Sequence, residues 1–338
     1  MSCESEQYRL PALKPVPSIL PLDSADQSLA AGVDQVAFPP HALNDKSLMF
    51  HVGIRQAVYV GTHFLDHLYS SPPGGSSHLP PIMVYRHMLD LGDSIGTLLR
   101  FQSGQAGFIL LRSLFESSLS LEFLLQGNEF HAERAVAYWA SYRIQQWESY
   151  MKYDPGTRRG ERLHELIDET PWLKDVEFPR KDLSDERAQL ESVLGSGSYK
   201  PYWEKYKKAR KEKRSTEWYS LCSIAQNRRE LARFLEREAE YEIFYGYLSG
   251  VAHTSDVLSG VMQRSPGHAE IHQLRGPEQK MEEVTSMCVN YLINSHHLIH
   301  QAYLKSDESM TKLFHEWYME YRPFFLWKTS RRDPMPQD

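Results

Sequence analysis

The chain has 338 residues, of which 41% are hydrophobic, 12% aromatic and 24% charged, with 19 glycines and 19 prolines. This supplies a sizeable core and excludes a collagen-like, low-complexity or disordered protein. A formal net charge of −6 confines any nucleic-acid binding to a local basic surface, and three scattered cysteines, Cys3, Cys222 and Cys288, exclude a disulfide framework and fit a reducing compartment.

Residues 1–44 read as an extended, Pro-rich arm, with Pro11, Pro15, Pro17, Pro21, Pro39 and Pro40 inside the first 40 positions. The opening MSCESEQYRL is acidic early and no apolar stretch follows it, which predicts a cytoplasmic protein. Apolar runs such as Phe108 to Leu111 fall far short of the roughly 18 residues of a membrane span, so no membrane partner is expected. From 45 to 154 the apolar residues recur at helical spacing and predict four helices, at about 45–70, 81–102, 105–126 and 129–152. Pro and Gly in SPPGGSSHLPP separate the first two helices, and Asp154-Pro155-Gly156 stops the fourth. The third helix is the most apolar and should be central. Short connections predict antiparallel packing.

The stretch 155–220 is polar and basic, broken by Pro171, Pro179, Pro201 and Gly195-Ser196-Gly197-Ser198, and reads as a partly irregular insertion. A second half of the bundle, 221–322, resumes with helices at about 224–236, 239–254, 277–305 and 307–321, before a polar tail at 323–338. No run alternates as a strand would. The fold class is therefore all-α, an antiparallel helical bundle.

Chemistry is expected where polar groups interrupt an apolar helical pattern. In LLRSLFESSLSLEFLL, Arg112 and Glu116 are spaced i, i+4, which places them side by side on the predicted central helix. Charges in a packed core must be paired, so the two form either a register-fixing ion pair or part of a site. In YEIFYGYLSGVAHTSD, Tyr241, Tyr245, Ser249 and His253 repeat every four residues and share one helix face. Histidine titrates near neutrality and can move a proton in either direction.

The Arg112-x-x-x-Glu116 pair, followed far downstream by Tyr245-x-x-x-Ser249-x-x-x-His253, resembles a bacterial all-helical family of unknown function, over about residues 45–305. That family is similar in layout to the HEPN superfamily, helical bundles that include metal-independent ribonucleases of toxin and defence systems. The resemblance implies an RNA-directed effector, a homodimer with its site near a two-fold axis, and a neutralising or sensor partner protein. It implies no cofactor and no metal. HEPN ribonucleases typically carry an Arg followed after four to six residues by a His, and in the middle of this chain Arg159-Gly-Glu-Arg-Leu-His164 has that spacing, with Gly160 in place of the usual polar residue. Arg112, Glu116, Tyr245, Ser249 and His253 are the favoured catalytic set. The competing expectation is a non-catalytic interaction protein in which these residues only hold the bundle together.

Two further patterns bear on binding. Residues 200–214 hold eight Lys or Arg against Glu204 and Glu212. Lys205, Lys207, Lys208, Arg210 and Lys211 with Tyr202 and Trp203 are the expected nucleic-acid-binding residues, because basic charge holds phosphates and aromatic faces stack on unpaired bases. A solvated helix surface has the same composition. His63 and His67 beside Asp66, and His296 and His300, are i, i+4 pairs that could hold a metal if they met, although 15 histidines produce such pairs by chance. Among other motifs, no phosphate loop, dinucleotide fingerprint or nucleophile elbow is found, which removes ordinary kinase, dehydrogenase and serine hydrolase readings.

Overall fold

The computed structural model describes residues 46–127, 130–173, 180–252, 261–265, 268–271 and 278–321. The Pro-rich arm, His253 and the polar tail lie outside the described residues. Helix α1 (Lys46–Ser70) is followed by α2 (Leu79–Arg100), which Pro80 and Pro81 open by supplying the fixed helical φ where no backbone donor is needed. The third helix, α3 (Gly104–Leu125), buries Phe108, Leu111, Leu114, Phe115, Leu119, Leu121, Phe123 and Leu124. Each large apolar side chain removed from water contributes roughly 1.5–3 kcal/mol. Near-complete burial of these side chains makes α3 the centre of the bundle, as its composition predicts.

The long helix α11 (Glu278–Ile299) closes the bundle against α1, α2 and α3. Glycines allow the close approaches. A Cβ at Gly107 would lie 2.9 Å from Val284 Cγ1 on α11, and one at Gly61 of α1 would lie 2.4 Å from Leu89 Cδ2 on α2. A buried hydrogen-bond chain also crosses this packing. His296 Nε2 donates to the Ala57 carbonyl at 2.9 Å, so its Nδ1 must be the acceptor for the Tyr85 hydroxyl at 2.7 Å. With the ring fully buried, desolvation drives the His296 pKa down to about 3.

A second layer is built on α4 (His131–Tyr153). The stretch expected to be partly irregular carries α5 (Arg158–Glu169), α6 (Ser184–Leu194), α7 (Lys200–Lys211) and the short α8 (Trp218–Leu221). Of these, α6, α7 and α8 form a separate apolar cluster with α4 around Trp147, Leu190, Leu194, Tyr202, Trp203 and Tyr206. Local sequence suggested loops because the polar residues dominate by count. Only a few large side chains per helix were needed to bury one face. Asp154, fully buried in the turn after α4, accepts from Gly156 N at 2.8 Å and pairs with Arg187 Nε at 2.8 Å, which ties α6 to that turn.

After α9 (Arg228–Phe234), an α turn Glu238–Glu240 leads through a π turn Tyr241–Tyr245 into α10 (Gly246–Ala252), which packs on α3. A short antiparallel hairpin follows, β1 (Val261–Ser265) with β2 (His268–Ile271), Val261 opposite Ile271. No alternating residue pattern announces these strands. The pair is a small addition to an all-α bundle. Beyond α11 the chain continues as a π turn, His300–Leu304, and α12 (Glu308–Tyr321). Among the described residues no helix is long and apolar enough to cross a membrane.

Candidate active site

The polar residues of α3 gather on the arc of the helix left out of the core: Arg112, Ser113, Glu116, Ser117 and Ser120 are exposed or half-buried between buried Leu111, Leu114, Phe115 and Leu119. Helical spacing alone places them together. What faces them is decided by the packing of α10 and α9. Arg112 Nη2 donates to the Tyr245 hydroxyl at 2.8 Å and Nη1 to Ser249 Oγ at 3.3 Å. The guanidinium carbon stands 4.8 Å from the centre of the Tyr245 ring, within range of a cation–π attraction. Tyr241 stacks on Tyr245, ring centres 4.5 Å apart and planes 15° from parallel. Burial, reinforced by Tyr245 and Glu242, raises the Tyr241 pKa.

Within α3, Arg112 Nε donates to Glu116 Oε1 at 3.2 Å, as the i, i+4 spacing predicts. The other carboxylate oxygen, Glu116 Oε2, lies 3.2 Å from Arg228 Nη2 at the start of α9. One carboxylate therefore bridges two guanidiniums. Burial opposes the charge on Arg228, but Glu116 and Glu217 outweigh it and raise its pKa, so Arg228 stays cationic. Nothing in the sequence singles out Arg228. It lies among several arginines in NRRELARFLER, with nothing local to mark which one reaches α3. The π turn at Tyr241–Tyr245 is likewise unmarked; such turns are rare and often accompany functional sites.

The expected constellation thus comes together for Arg112, Glu116, Tyr245 and Ser249, while His253 lies outside the described residues. Beside Glu116 and Arg228 opens a cleft of about 400 Å³, walled by α2, α3, α4, α9 and the segment Glu217–Tyr219. Serine and tyrosine hydroxyls are prominent in its lining.

The other candidates are dispersed. Arg159 is paired with Glu148, whereas His164 is buried with Nε2 3.1 Å from the Tyr153 carbonyl. Gly160 has a structural cause: a Cβ there would stand 1.8 Å from the Asp154 carbonyl oxygen. The Arg159–His164 segment is therefore a tightly packed helix start, with its two side chains engaged separately. In the basic stretch, Tyr202 and Trp203 are 6% and 7% exposed and belong to the second core, which corrects their expected role as base-stacking platforms. The hydrophobic face of α7 turned inward. Lys205 Nζ donates to the Leu221 carbonyl at 2.8 Å, Lys207 pairs with Glu204 at 2.6 Å and Arg210 pairs with Glu148 at 2.7 Å; Lys208 and Lys211 are exposed.

Nor do the histidine pairs form one ligand set. His296 uses both ring nitrogens on Tyr85 and Ala57, and His300 Nε2 lies 2.8 Å from Thr311 Oγ1. His67 Nε2 stands 3.3 Å from Asp307, while His63 packs edge-on against Tyr59. Among the described residues no group of three or more His, Cys, Asp or Glu is placed to hold a metal.

A model described as a family of unknown function, DUF5677, matches residues 78–269. The chain belongs to that family. The matched span runs from the residue before α2 into β2 and contains Arg112, Glu116, Arg228, Tyr245 and Ser249. Helix α1 and helix α11, the latter packed on α3, lie outside it. Neither the curated proteins nor the solved structures give a match.

Proposed function

We propose that this DUF5677 member is an RNA-directed effector of the HEPN-like kind, a metal-independent endoribonuclease of a bacterial toxin or defence system acting in the cytoplasm. The observation that carries the reading is the meeting of Arg112, on α3, with Tyr245 and Ser249, on a helix more than a hundred residues downstream. His253 follows Ser249 by four residues in sequence.

In this reading the RNA 2′-hydroxyl attacks the adjacent phosphorus, a new P–O bond forms and the bond to the 5′-oxygen breaks. His253 takes the hydroxyl proton or delivers one to the leaving 5′-oxygen, and water exchanges the proton at the oxygen that His253 does not serve. Charge building on the phosphoryl oxygens is met by Arg112, whose guanidinium is held in orientation by Glu116 and Tyr245. Tyr245 and Ser249 supply hydroxyls beside it. The same proposal includes a homodimer and a neutralising or sensor partner.

The test is cleavage of labelled RNA by the purified chain in a chelator. Activity that is lost in Arg112→Ala and His253→Ala, with thermal unfolding still cooperative, supports the reading. A wild-type chain inert on RNA, or turnover unchanged in both variants, removes it. The competing reading, a non-catalytic interaction protein, is favoured by the three contacts through which Arg112 ties α3 to itself and to the Tyr245–Ser249 segment. It predicts that Arg112→Ala lowers stability and that no RNA is turned over.

A further inference from the structure

The cleft beside Glu116 is lined by hydroxyls that make no hydrogen bond within the described residues of the protein. Ser141 of α4 and Tyr219 of α8 both line it and are 7% and 3% exposed. Among the described residues neither hydroxyl has a hydrogen-bond partner. Neither oxygen is sealed from the cleft, so each can bond to water or to a ligand group there. Two of them opening into one cavity offer donors and acceptors to an occupant.

The remaining walls narrow its chemistry. Tyr138 and Trp218, in edge contact with ring centres 5.1 Å apart, bring aromatic surface to the cleft. Glu116 and Glu217 add carboxylate acceptors, and Arg228, paired with Glu116, adds a donor. A cleft with two carboxylates against one guanidinium, together with hydroxyls and aromatic walls, suits a flat, polar ring better than a free anion or an aliphatic chain. Its volume of about 400 Å³ falls within the range of small-ligand sites. Glu116 also joins this cleft to Arg112, because its two carboxylate oxygens face the two arginines separately.

We infer that the cleft receives one unpaired nucleobase of an RNA strand, its ring against Tyr138 and Trp218 and its polar edge on Ser141 and Tyr219. The inference rests on the RNA-directed reading above and assigns it a base-binding subsite. Backbone phosphate next to the captured base would then face Arg112 across Glu116. Arg228 acts here as a positioning residue, holding the Glu116 carboxylate between the two compartments.

The experiment titrates the full chain with short homo-oligoribonucleotides of each of the four bases and with the corresponding abasic ribose-phosphate oligomer, following binding calorimetrically and cleavage in the same samples. At least one base-bearing oligomer should bind about tenfold more tightly than the abasic one. Ser141→Leu, which fills the cleft, should erase that preference, and Tyr219→Phe, which removes only a hydroxyl, should reduce it about threefold or more. Unfolding curves establish that both variants are folded, and Tyr219→Phe carries the test alone if Ser141→Leu is not. Equal binding of abasic and base-bearing oligomers, no binding at all, or an unaltered preference in the folded variants overturns the inference. Cleavage without any base preference would sink the subsite and leave the ribonuclease reading standing. A base preference lost in the variants, with no cleavage by the wild type, would do the reverse.

Discussion

Replacing Glu116 by alanine removes the carboxylate that stands between Arg112 and Arg228, and the two halves of that bridge should respond unequally. At 3.2 Å and an effective dielectric near 20, each pair attracts by about 5 kcal/mol before desolvation and side-chain ordering are subtracted. What survives depends on exposure. The side chains of Arg112 and Glu116 are 20% and 22% exposed, whereas that of Arg228 is 37% exposed and better solvated. The Arg112–Glu116 coupling should therefore be about 1–2 kcal/mol, between the surface and buried regimes, and the Arg228–Glu116 coupling about 0.5 kcal/mol. Two double-mutant cycles in urea, Arg112→Ala with Glu116→Ala and Arg228→Ala with Glu116→Ala, measure both. Residues that do not interact give additive changes within about 0.3–0.5 kcal/mol. An Arg112 coupling inside that margin, or one smaller than the Arg228 coupling, would refute the bridge as described.

Stability should fall as the medium is acidified, because the unfolded chain binds a proton at His296 that the folded chain refuses. The folded pKa is about 3 against an unfolded value of about 6.5, so this contribution is complete above pH 6.5 and declines below it, by about 2 kcal/mol at pH 5. Urea unfolding at pH 7 and pH 5 checks this, and His296→Asn should show a smaller difference between the two. Gly61→Ala should cost about 1–3 kcal/mol, since its methyl would meet the Leu89 side chain; a neutral effect in thermal unfolding would contradict the close α1–α2 approach. Trp203→Ala should destabilise the chain by about 3 kcal/mol or more, as expected for an aromatic side chain in the second core. A Trp203→Ala variant of unchanged stability that bound RNA more weakly would restore the stacking role.

The main helices of the bundle were legible in the sequence because each depends on residues near one another in the chain. Apolar spacing set the inner face of α3, Pro80 and Pro81 set the start of α2, and the i, i+4 rule paired Arg112 with Glu116. The same local logic left the helices inside residues 155–220 unmarked, because charge dominates the count there although Tyr202, Trp203 and Tyr206 suffice to bury one side of α7. Selecting Arg112, Tyr245 and Ser249 as one group drew on a resemblance and on polar residues in apolar helices, without any local measure of distance.

What the amino-acid order determined by itself is which segments become helices and which of their faces shun water, since backbone geometry repeats every few residues. Tertiary packing alone decided that Arg228 shares Glu116 and that the face of α7 carrying Trp203 points inward. It also decided that Ser141 and Tyr219 open into a common cleft. Those outcomes depend on how separate helices cross, and crossing is settled by the collective fit of side chains such as Val284 against Gly107. No single stretch of the chain contains that information.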